Sequence, residues 1–414
     1  MKNSITLKDI KIAQKNITGI VKETDLIYDY YSSKKFHANV YLKLENTQVV
    51  KSFKIRGALN AIKKLNTKQA KAGVIAASAG NHAQGVAYSA TQLGIKSTIV
   101  MPNSTPLTKI NATLGFGGEV VFGPSPIFDD ANKLSKELSI QHGYTLIPPY
   151  DHPDVIAGQG TIGLEILKQN PNIDLVIVQI GGGGLIAGIS TAIKAIKPSC
   201  EIIGVQTENF PAARDIFKGN QLKTNKRNMS SLADGIAVRE PSKMAMTIVK
   251  KYVKDIVTVS EPEIEKAILW LAEKSKIVAE GAGAIGLAAV IAKKINISGK
   301  NVAFIISGGN INVDAFINAC LNTMDWEHRR VVFKYWYEKK TFPNLIGNLQ
   351  AVSGRIYKNG LKYHLTINDK LKYGWNELML YAPSCKKSKS YFQALKRYQV
   401  KYQLVSKINW DFDA

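Results

Sequence analysis

The sequence predicts an α/β protein with mainly parallel sheets. Short, continuous apolar runs recur along the first three quarters of the chain, separated by stretches of helical pattern, and glycine-rich turns follow several of them. Strands buried on both faces show such unbroken apolar runs, and their alternation with helices is typical of parallel sheets. With 414 residues, of which 45% are hydrophobic and 21% charged, the chain is long enough for two or three folded domains.

Each element of this part is predicted from its own pattern. Val74–Ala77 and Ser97–Met101 are short apolar segments, and Pro102 ends the second. Leu175–Ile180 leads through four glycines into an apolar helix at Ile186–Ile196. The other predicted elements are the strands Glu119–Phe122, Ile202–Val205, Ile256–Val259 and Val302–Ile306 and the helix Ala83–Gln92.

A change of composition near residue 328 predicts a separate carboxyl-terminal domain. Residues 331–414 hold 16 of the 35 aromatic residues, and 15 Lys or Arg against 5 Asp or Glu. Their pattern has the order βαββαβ, which predicts a small ferredoxin-like α+β sandwich. The predicted elements are the strands Val331–Tyr337, Tyr363–Ile367, Leu378–Tyr381 and Lys401–Val405 and the helices Leu345–Val352 and Ser388–Arg397. We therefore divide the chain into residues 1–325 and 326–414.

The formal net charge of +23 has two interpretations. One is an acidic partner, such as nucleic acid or a membrane surface, and the other is a lysine-rich composition without a special partner. The lysines are scattered and form no long run, which favours the second, so we expect neither nucleic acid nor membrane as a partner. The most apolar stretch, Leu175–Ile193, is interrupted by glycines and polar residues, so it is not expected to span a membrane.

The cysteines and the first residues bear on the cellular compartment. Cys200, Cys320 and Cys385 are too widely spaced for a CxxC metal site or a disulfide framework. The amino-terminal residues lack the apolar core of a signal peptide. Both observations favour a cytoplasmic protein.

Lys54 lies near the predicted start of a helix, in the segment from Lys51 to Ala58, with Ser52 as a predicted N-cap. The positive end of a helix dipole disfavours protonation and lowers the pKa of an amine. Such a lysine suits imine formation or proton abstraction near neutral pH. The alternative interpretation is an ordinary solvent-exposed lysine.

A second segment, from Ser78 to Gly85, joins a predicted strand to a helix. Its small residues leave backbone N–H groups free at a helix start, where a carboxylate can bind. Asn81 offers both a donor and an acceptor. His82 is either a general base or a structural, hydrogen-bonded histidine, and the second is favoured because no serine, cysteine or second histidine is paired with it in the sequence.

Two further glycine-bearing turns follow predicted strands. Gly181, Gly182, Gly183 and Gly184, with Leu185, can wrap a phosphate with N–H donors, although they match neither the dinucleotide nor the ATP motif. The second turn, Ser307–Asn310, follows the last strand of this part. Ligands of open α/β sheets bind at the carboxyl ends of strands, so we expect these turns to meet in one site.

Together these motifs resemble those of the fold-type-II (tryptophan-synthase-β-like) pyridoxal-phosphate enzymes, and specifically the threonine/serine dehydratase (threonine deaminase) group. The resemblance covers about residues 5–325 and keeps the motifs in the family's order. The segments that carry it are Ser52–Ala58, Ala77–Gly85, Met101–Pro102, Gly158–Thr161, Gly181–Gly188, Ala233–Val238 and Ser307–Asn310.

The resemblance implies pyridoxal phosphate as the cofactor and a role for each site residue. Lys54 would hold the cofactor as a Schiff base and move the Cα proton, and Phe53 would flank the ring. Asn81 would bond the 3′ oxygen, and Ser307 would face the pyridine nitrogen. The phosphate would bind to Gly181, Gly182, Gly183, Gly184 and Leu185, and the substrate carboxylate to Ser78, Ala79, Gly80, Asn81 and His82.

The resemblance also implies the reaction, which is elimination of water from L-threonine to give 2-oxobutanoate and ammonia, the first step toward isoleucine. A serine opposite the ring nitrogen does not enforce its protonation, which favours elimination. A smaller mobile lobe of about residues 50–155 would move over the substrate. The alternatives are an L-serine dehydratase, a catabolic threonine dehydratase, or a catalytically silent regulatory scaffold that retains the fold.

At two places the sequence departs from related serine racemases, and these departures bear on racemase activity and on a metal site. Ala79 stands where those enzymes carry a serine as a second base, so racemisation is not expected. Gln206 and Ala212 stand where they bind a divalent metal through acidic residues, so no metal site is expected, with Glu208 as the one nearby acid to consider.

The carboxyl-terminal domain corresponds to the ACT-like domain with which biosynthetic threonine deaminases sense isoleucine or valine. The family's Arg-Pro-Gly-Ala-Leu turn is replaced here by Phe342-Pro343-Asn344-Leu345-Ile346, and the asparagine fills space that glycine leaves open. We expect either a surviving effector site or a domain that serves assembly alone, in a homodimer or homotetramer.

Overall fold

The computed structural model describes residues 5–220 and 230–326, and four strands beyond them. The chain divides into two compact units, Met1–Phe316 and Ile317–Ala414. Within the described residues, no helix is both long and apolar enough to cross a membrane.

The first unit alternates helices and strands, as the sequence predicts. The ten strands among its described residues are β1 Leu26–Tyr28, β2 Asn39–Lys43, β3 Val74–Ala77, β4 Ser97–Met101, β5 Glu119–Phe122, β6 Thr145–Leu146, β7 Leu175–Gln179, β8 Glu201–Thr207, β9 Asp255–Val259 and β10 Asn301–Ile305. The helices up to β7 are α1 Leu7–Ile17, α2 Tyr30–Phe36, α3 Lys54–Lys63, α4 Thr67–Ala72, α5 Asn81–Gln92, α6 Leu107–Gly115, α7 Phe128–His142 and α8 Pro153–Gln169. The later helices are α9 Gly184–Ile196, α10 Ala212–Lys218, α11 Lys243–Tyr252, α12 Glu261–Trp270, α13 Gly281–Ile291 and α14 Val313–Trp326, the last of which continues past the unit boundary.

Two sheets organise this unit. The larger has the order β1-β2-β10-β7-β8-β9 and is parallel except for β1, which pairs antiparallel with β2. The smaller has the order β5-β4-β3-β6 and is parallel throughout. The prediction of an α/β fold with parallel sheets is therefore confirmed, and its small sheet lies inside the predicted lobe of about residues 50–155.

The central parallel strands have buried residues on both faces, which explains their unbroken apolar sequences. Every residue of β7 is buried, and so is every residue of β3 and β4. A core of branched side chains from β7, β8, α8 and α9 fills the larger sheet's face, and a second core lies between α3, α5 and the small sheet.

Glycines allow α3, α8 and α9 to cross at short range. A Cβ built on Gly158 would lie 2.5 Å from the carbonyl oxygen of Arg56, and one built on Gly188 would lie 2.4 Å from that of Ile156. The Gly158–Thr161 motif therefore serves helix packing, and it fixes α3, which begins at Lys54, against α8.

A buried cluster of four charges also fixes α3, in part against α8, which carries Glu165. The Arg56 guanidinium donates to both carboxylate oxygens of Glu45, at 2.8 and 2.7 Å, and also to Glu165. The Lys43 amine donates to Glu165 at 2.6 Å. All four side chains are almost fully buried, and their two positive and two negative charges balance.

The second unit is described through four strands, β11 Arg330–Trp336, β12 Lys362–Ile367, β13 Trp375–Tyr381 and β14 Tyr402–Leu404. They form an antiparallel sheet with the order β12-β13-β11-β14. Counted from the first strand, this order is 2-3-1-4, which is compatible with a βαββαβ sandwich. The predicted helices Leu345–Val352 and Ser388–Arg397 and the turn around Asn344 lie outside the described residues.

Candidate active site

Lys54 is the first residue of α3, and the backbone before it is fixed to the end of β10. Phe53 N donates to the carbonyl of Ser307 at 3.0 Å, and Ser52 forms an isolated antiparallel bridge with Gly308. The prediction that Ser52 caps α3 is wrong, because this bridge holds Ser52 at the sheet end and Phe53 takes the N-cap position without a side-chain bond. Lys54 and Ser307, predicted to share a site, are thereby brought close together.

The Lys54 amine lies in a largely enclosed place. Its Nζ donates to the carbonyl of Pro149 at 2.9 Å and lies 5.3 Å from the centre of the Phe53 ring. Burial lowers the pKa of the amine to about 8, while the carboxylate of Glu280 acts in the opposite direction. Burial is therefore the main cause of the lowered pKa that the sequence led us to expect from the helix start.

The four-glycine turn links β7 to α9. Gly183 has φ of +93° and is the N-cap of α9, and Gly184 is its first residue. The first N–H groups of a helix have no acceptor within the helix, so they are available to an anion. A Cβ on Gly182 would lie 2.2 Å from the Tyr150 ring, and one on Gly181 would lie 2.9 Å from Ile236 Cα, so only glycine fits these positions.

Asn81 begins α5, and two partners fix its amide. Its Nδ2 donates to Glu280 Oε1 at 2.8 Å, and its Oδ1 accepts from Asn310 Nδ2 at 2.7 Å. The orientation of the amide is thus determined, and one N–H of Nδ2 is left to donate elsewhere. The pair joins the Ser78–Gly85 segment to the Ser307–Asn310 turn.

Glu280 is a site residue that the sequence reasoning missed. It is 4% exposed and lies just before α13. Burial raises the pKa of its carboxyl to about 7, and the nearby Asp234 raises it further, while Asn81 and Lys109 act against this. The available signal was one acidic residue inside an otherwise apolar stretch, Val278–Ala282.

The residues before α5 form an open turn. Gly80 is the N-cap of α5, its N–H donates to Ser78 Oγ at 3.2 Å, and nothing lies within 4 Å of a Cβ built on it. His82 is 3% exposed and its Nε2 donates to the carbonyl of Ile147 at 2.8 Å. Burial and the Lys54 charge lower the pKa of His82 to about 3, so the ring is neutral near pH 7.

The residues considered for a metal have other partners. Gln206 Oε1 accepts from the backbone of Arg214 at 2.9 Å, and Glu208 pairs with Lys294 at 3.1 Å. Among the described residues, no group of three His, Cys, Asp or Glu is placed to hold a metal ion.

Comparison with known proteins identifies the family. The model of the family described as "pyridoxal-phosphate dependent enzyme" matches residues 17–308, so the chain belongs to this family. It is 48% identical over 311 residues to the L-threonine ammonia-lyase of Thermotoga maritima, covering 75% of this chain and 77% of that protein. It is 45% identical over 328 residues to the catabolic L-threonine dehydratase TdcB of Staphylococcus aureus strain N315, covering 78% and 94%. Maize serine racemase, a solved structure, superimposes with a TM-score of 0.72 at 30% identity, covering 78% and 99%.

The predictions of a fold-type-II enzyme, of pyridoxal phosphate as cofactor and of lyase activity are thereby confirmed. The residues present fit this cofactor, because a glycine cradle without room for a Cβ adjoins a helix start and lies in the same unit as a largely enclosed amine of lowered pKa. When bound, pyridoxal phosphate withdraws electrons from the Cα of an amino acid joined to it.

Proposed function

We propose that this lyase is an L-threonine ammonia-lyase, which converts L-threonine to 2-oxobutanoate and ammonia. The observation that carries the proposal is the placement of Lys54, a largely enclosed amine with a pKa of about 8 at the junction of α3 and the end of β10. The identities of 48% and 45% to a threonine ammonia-lyase and a threonine dehydratase support threonine as the substrate.

We assign the binding roles as follows. The N–H groups of Gly181 to Leu185 hold the cofactor phosphate, and Ser307, which is 1% exposed, faces the pyridine nitrogen. Asn81, oriented by Glu280 and Asn310, donates to the 3′ oxygen. The open turn of Ser78, Ala79, Gly80, Asn81 and His82 takes the substrate carboxylate through its N–H groups, while the His82 ring is engaged with Ile147.

Lys54 moves the proton in the proposed reaction. Its neutral amine takes the proton from Cα of L-threonine, and the β-hydroxyl leaves as water after gaining a proton. The released enamine tautomerises and is hydrolysed to 2-oxobutanoate and ammonia. Racemisation would need a second proton-transfer group, and Ala79 has none to offer at the position considered.

The biosynthetic role is a further part of the proposal, with residues 326–414 as an ACT-like domain that senses isoleucine or valine in a homodimer or homotetramer. The catabolic dehydratase among the relatives favours the alternative of a catabolic enzyme without this control. The two roles differ in their response to isoleucine.

The experiment measures 2-oxo acid release from L-threonine and from L-serine, each with and without isoleucine, and D-serine formation from L-serine. The proposal expects L-threonine to be the better substrate, isoleucine to inhibit, and D-serine to stay at background. Turnover indifferent to isoleucine would support the catabolic alternative. Failure to turn over either amino acid would contradict the proposed activity and favour a silent scaffold.

A further inference from the structure

The segment Pro149–Asp151 lies between β6 of the small sheet and α8, and its Tyr150 contacts the four-glycine turn. We call it the connector segment. Its place in the chain, more than thirty residues before Gly182, gave no sequence signal for a role in the site. Its contacts place it between Lys54 and that turn.

The ring of Tyr150 packs directly on the glycine backbone. A Cβ built on Gly182 would lie 2.2 to 2.4 Å from three atoms of this ring, and one on Gly184 would lie 3.1 Å from the Tyr150 carbonyl. The ring therefore occupies the space that a side chain would fill at Gly182, and the backbone of Tyr150 occupies that space at Gly184. Its hydroxyl donates to the carbonyl of Glu240 at 3.3 Å, which fixes the far end of the ring.

The neighbours of Tyr150 hold the connector segment at both ends. The Pro149 carbonyl accepts from Lys54 Nζ at 2.9 Å. The Asp151 carboxylate accepts from the Ser242 hydroxyl, and Ser242 N in turn donates to the carbonyl of Gly182 at 3.0 Å. Ser242 also caps α11, which makes it a rigid support.

A turn of four glycines has more backbone freedom than any other turn of the same length. This freedom opposes anion binding, because the N–H groups must converge on the anion. An aromatic face packed on the turn restricts that freedom. We propose that Tyr150 is a positioning residue whose ring holds Gly182 in the conformation that binds the cofactor phosphate. The inference rests on the phosphate role proposed above for Gly181 to Leu185.

The first test compares the dissociation constants of pyridoxal phosphate and of pyridoxal, which lacks the phosphate, by the absorbance change on binding. Tyr150→Ala should weaken binding of pyridoxal phosphate about tenfold, the equivalent of fixing roughly one backbone residue, and leave pyridoxal nearly unchanged. Tyr150→Phe, which keeps the ring, should stay close to the unaltered protein. Tyr144→Ala, a half-buried tyrosine nearby in the chain, is the control for lost packing.

The second test uses Gly182→Ala, whose methyl group would collide with the ring. Alone it should weaken binding of pyridoxal phosphate, and combined with Tyr150→Ala it should cost less than the sum of the two changes, because the collision is gone. Additive losses, or equal weakening of pyridoxal and pyridoxal phosphate by Tyr150→Ala, would overturn the role of Tyr150. If the unaltered protein itself does not prefer pyridoxal phosphate over pyridoxal, the proposed phosphate turn fails instead.

Discussion

Glu280 shows how one buried carboxyl links stability to pH. Its raised pKa of about 7 results first from burial and then from Asp234, with Lys109 and Lys54 as the nearby positive groups. The stability that its proton contributes is fully present below about pH 4.5 and is lost as the pH rises through about 7. At higher pH, the ionised carboxylate costs on the order of 3 kcal/mol.

Glu280→Gln should therefore reduce the loss of stability between pH 5 and pH 8, since the amide cannot ionise and still offers Asn81 an acceptor oxygen. Denaturant unfolding of both proteins at the two pH values measures the difference. Glu137→Gln, an exposed position, is the control and should leave the pH dependence unchanged. Parallel pH profiles for Glu280→Gln and the unaltered protein would mean that Glu280 is not the titrating group.

The pKa of Lys54 predicts how the protein captures its cofactor. Only the neutral amine attacks a carbonyl, so the capture rate of cofactor-free protein should rise with pH through about 8 and level off above it. Stopped-flow absorbance with pyridoxal phosphate between pH 6.5 and 9.5 checks this. A rate still rising in proportion to hydroxide at pH 9.5 would indicate an amine of ordinary pKa.

At the scale of the elements, α3 and α8 cross so closely that their packing depends on a single glycine, Gly158. A methyl group on Gly158 would press on the backbone of α3, so Gly158→Ala should destabilise the protein by about 1–3 kcal/mol. It should also reduce activity, because α3 carries Lys54. Gly115→Ala, in α6 with open space around it and no positive φ, is the matched control and should be neutral or slightly stabilising.

The unfolding midpoints and the activities of these two glycine variants test both expectations. If Gly158→Ala is as stable and as active as Gly115→Ala, the close crossing of α3 and α8 is not required. A fall in stability with full activity would separate the packing of α3 from the placement of Lys54.

At the scale of the whole molecule, the sequence predicted most of the first unit because its central strands are buried on both faces. Val74–Ala77, Ser97–Met101 and Glu119–Phe122 coincide with the observed strands. The helices α5 and α9 begin two residues earlier than predicted, at Asn81 and Gly184, because the glycines that looked like turns also start the helices.

The site was predictable where its signals are local. Lys54 stands out at a predicted helix start, and the glycine turns stand out because they follow predicted strands. Glu280 and Tyr150 did not stand out in the sequence. Glu280 contacts Asn81 and Tyr150 contacts Gly182, and no periodic pattern reports pairs that lie so far apart in the chain. The N-cap at Ser52 was mispredicted for the same reason, since its bridge to Gly308 is non-local.

The central claim is that this protein deaminates L-threonine through the Lys54 amine, and the most direct measurement is steady-state 2-oxobutanoate formation by Lys54→Ala. Lys63→Ala removes an exposed lysine from the same helix and is the control. Both variants should fold with circular dichroism spectra like that of the unaltered protein. We predict that Lys63→Ala keeps its rate and that Lys54→Ala loses at least about a thousandfold, within the range that such groups supply. Steady turnover of L-threonine by Lys54→Ala at a rate near that of Lys63→Ala would contradict the account.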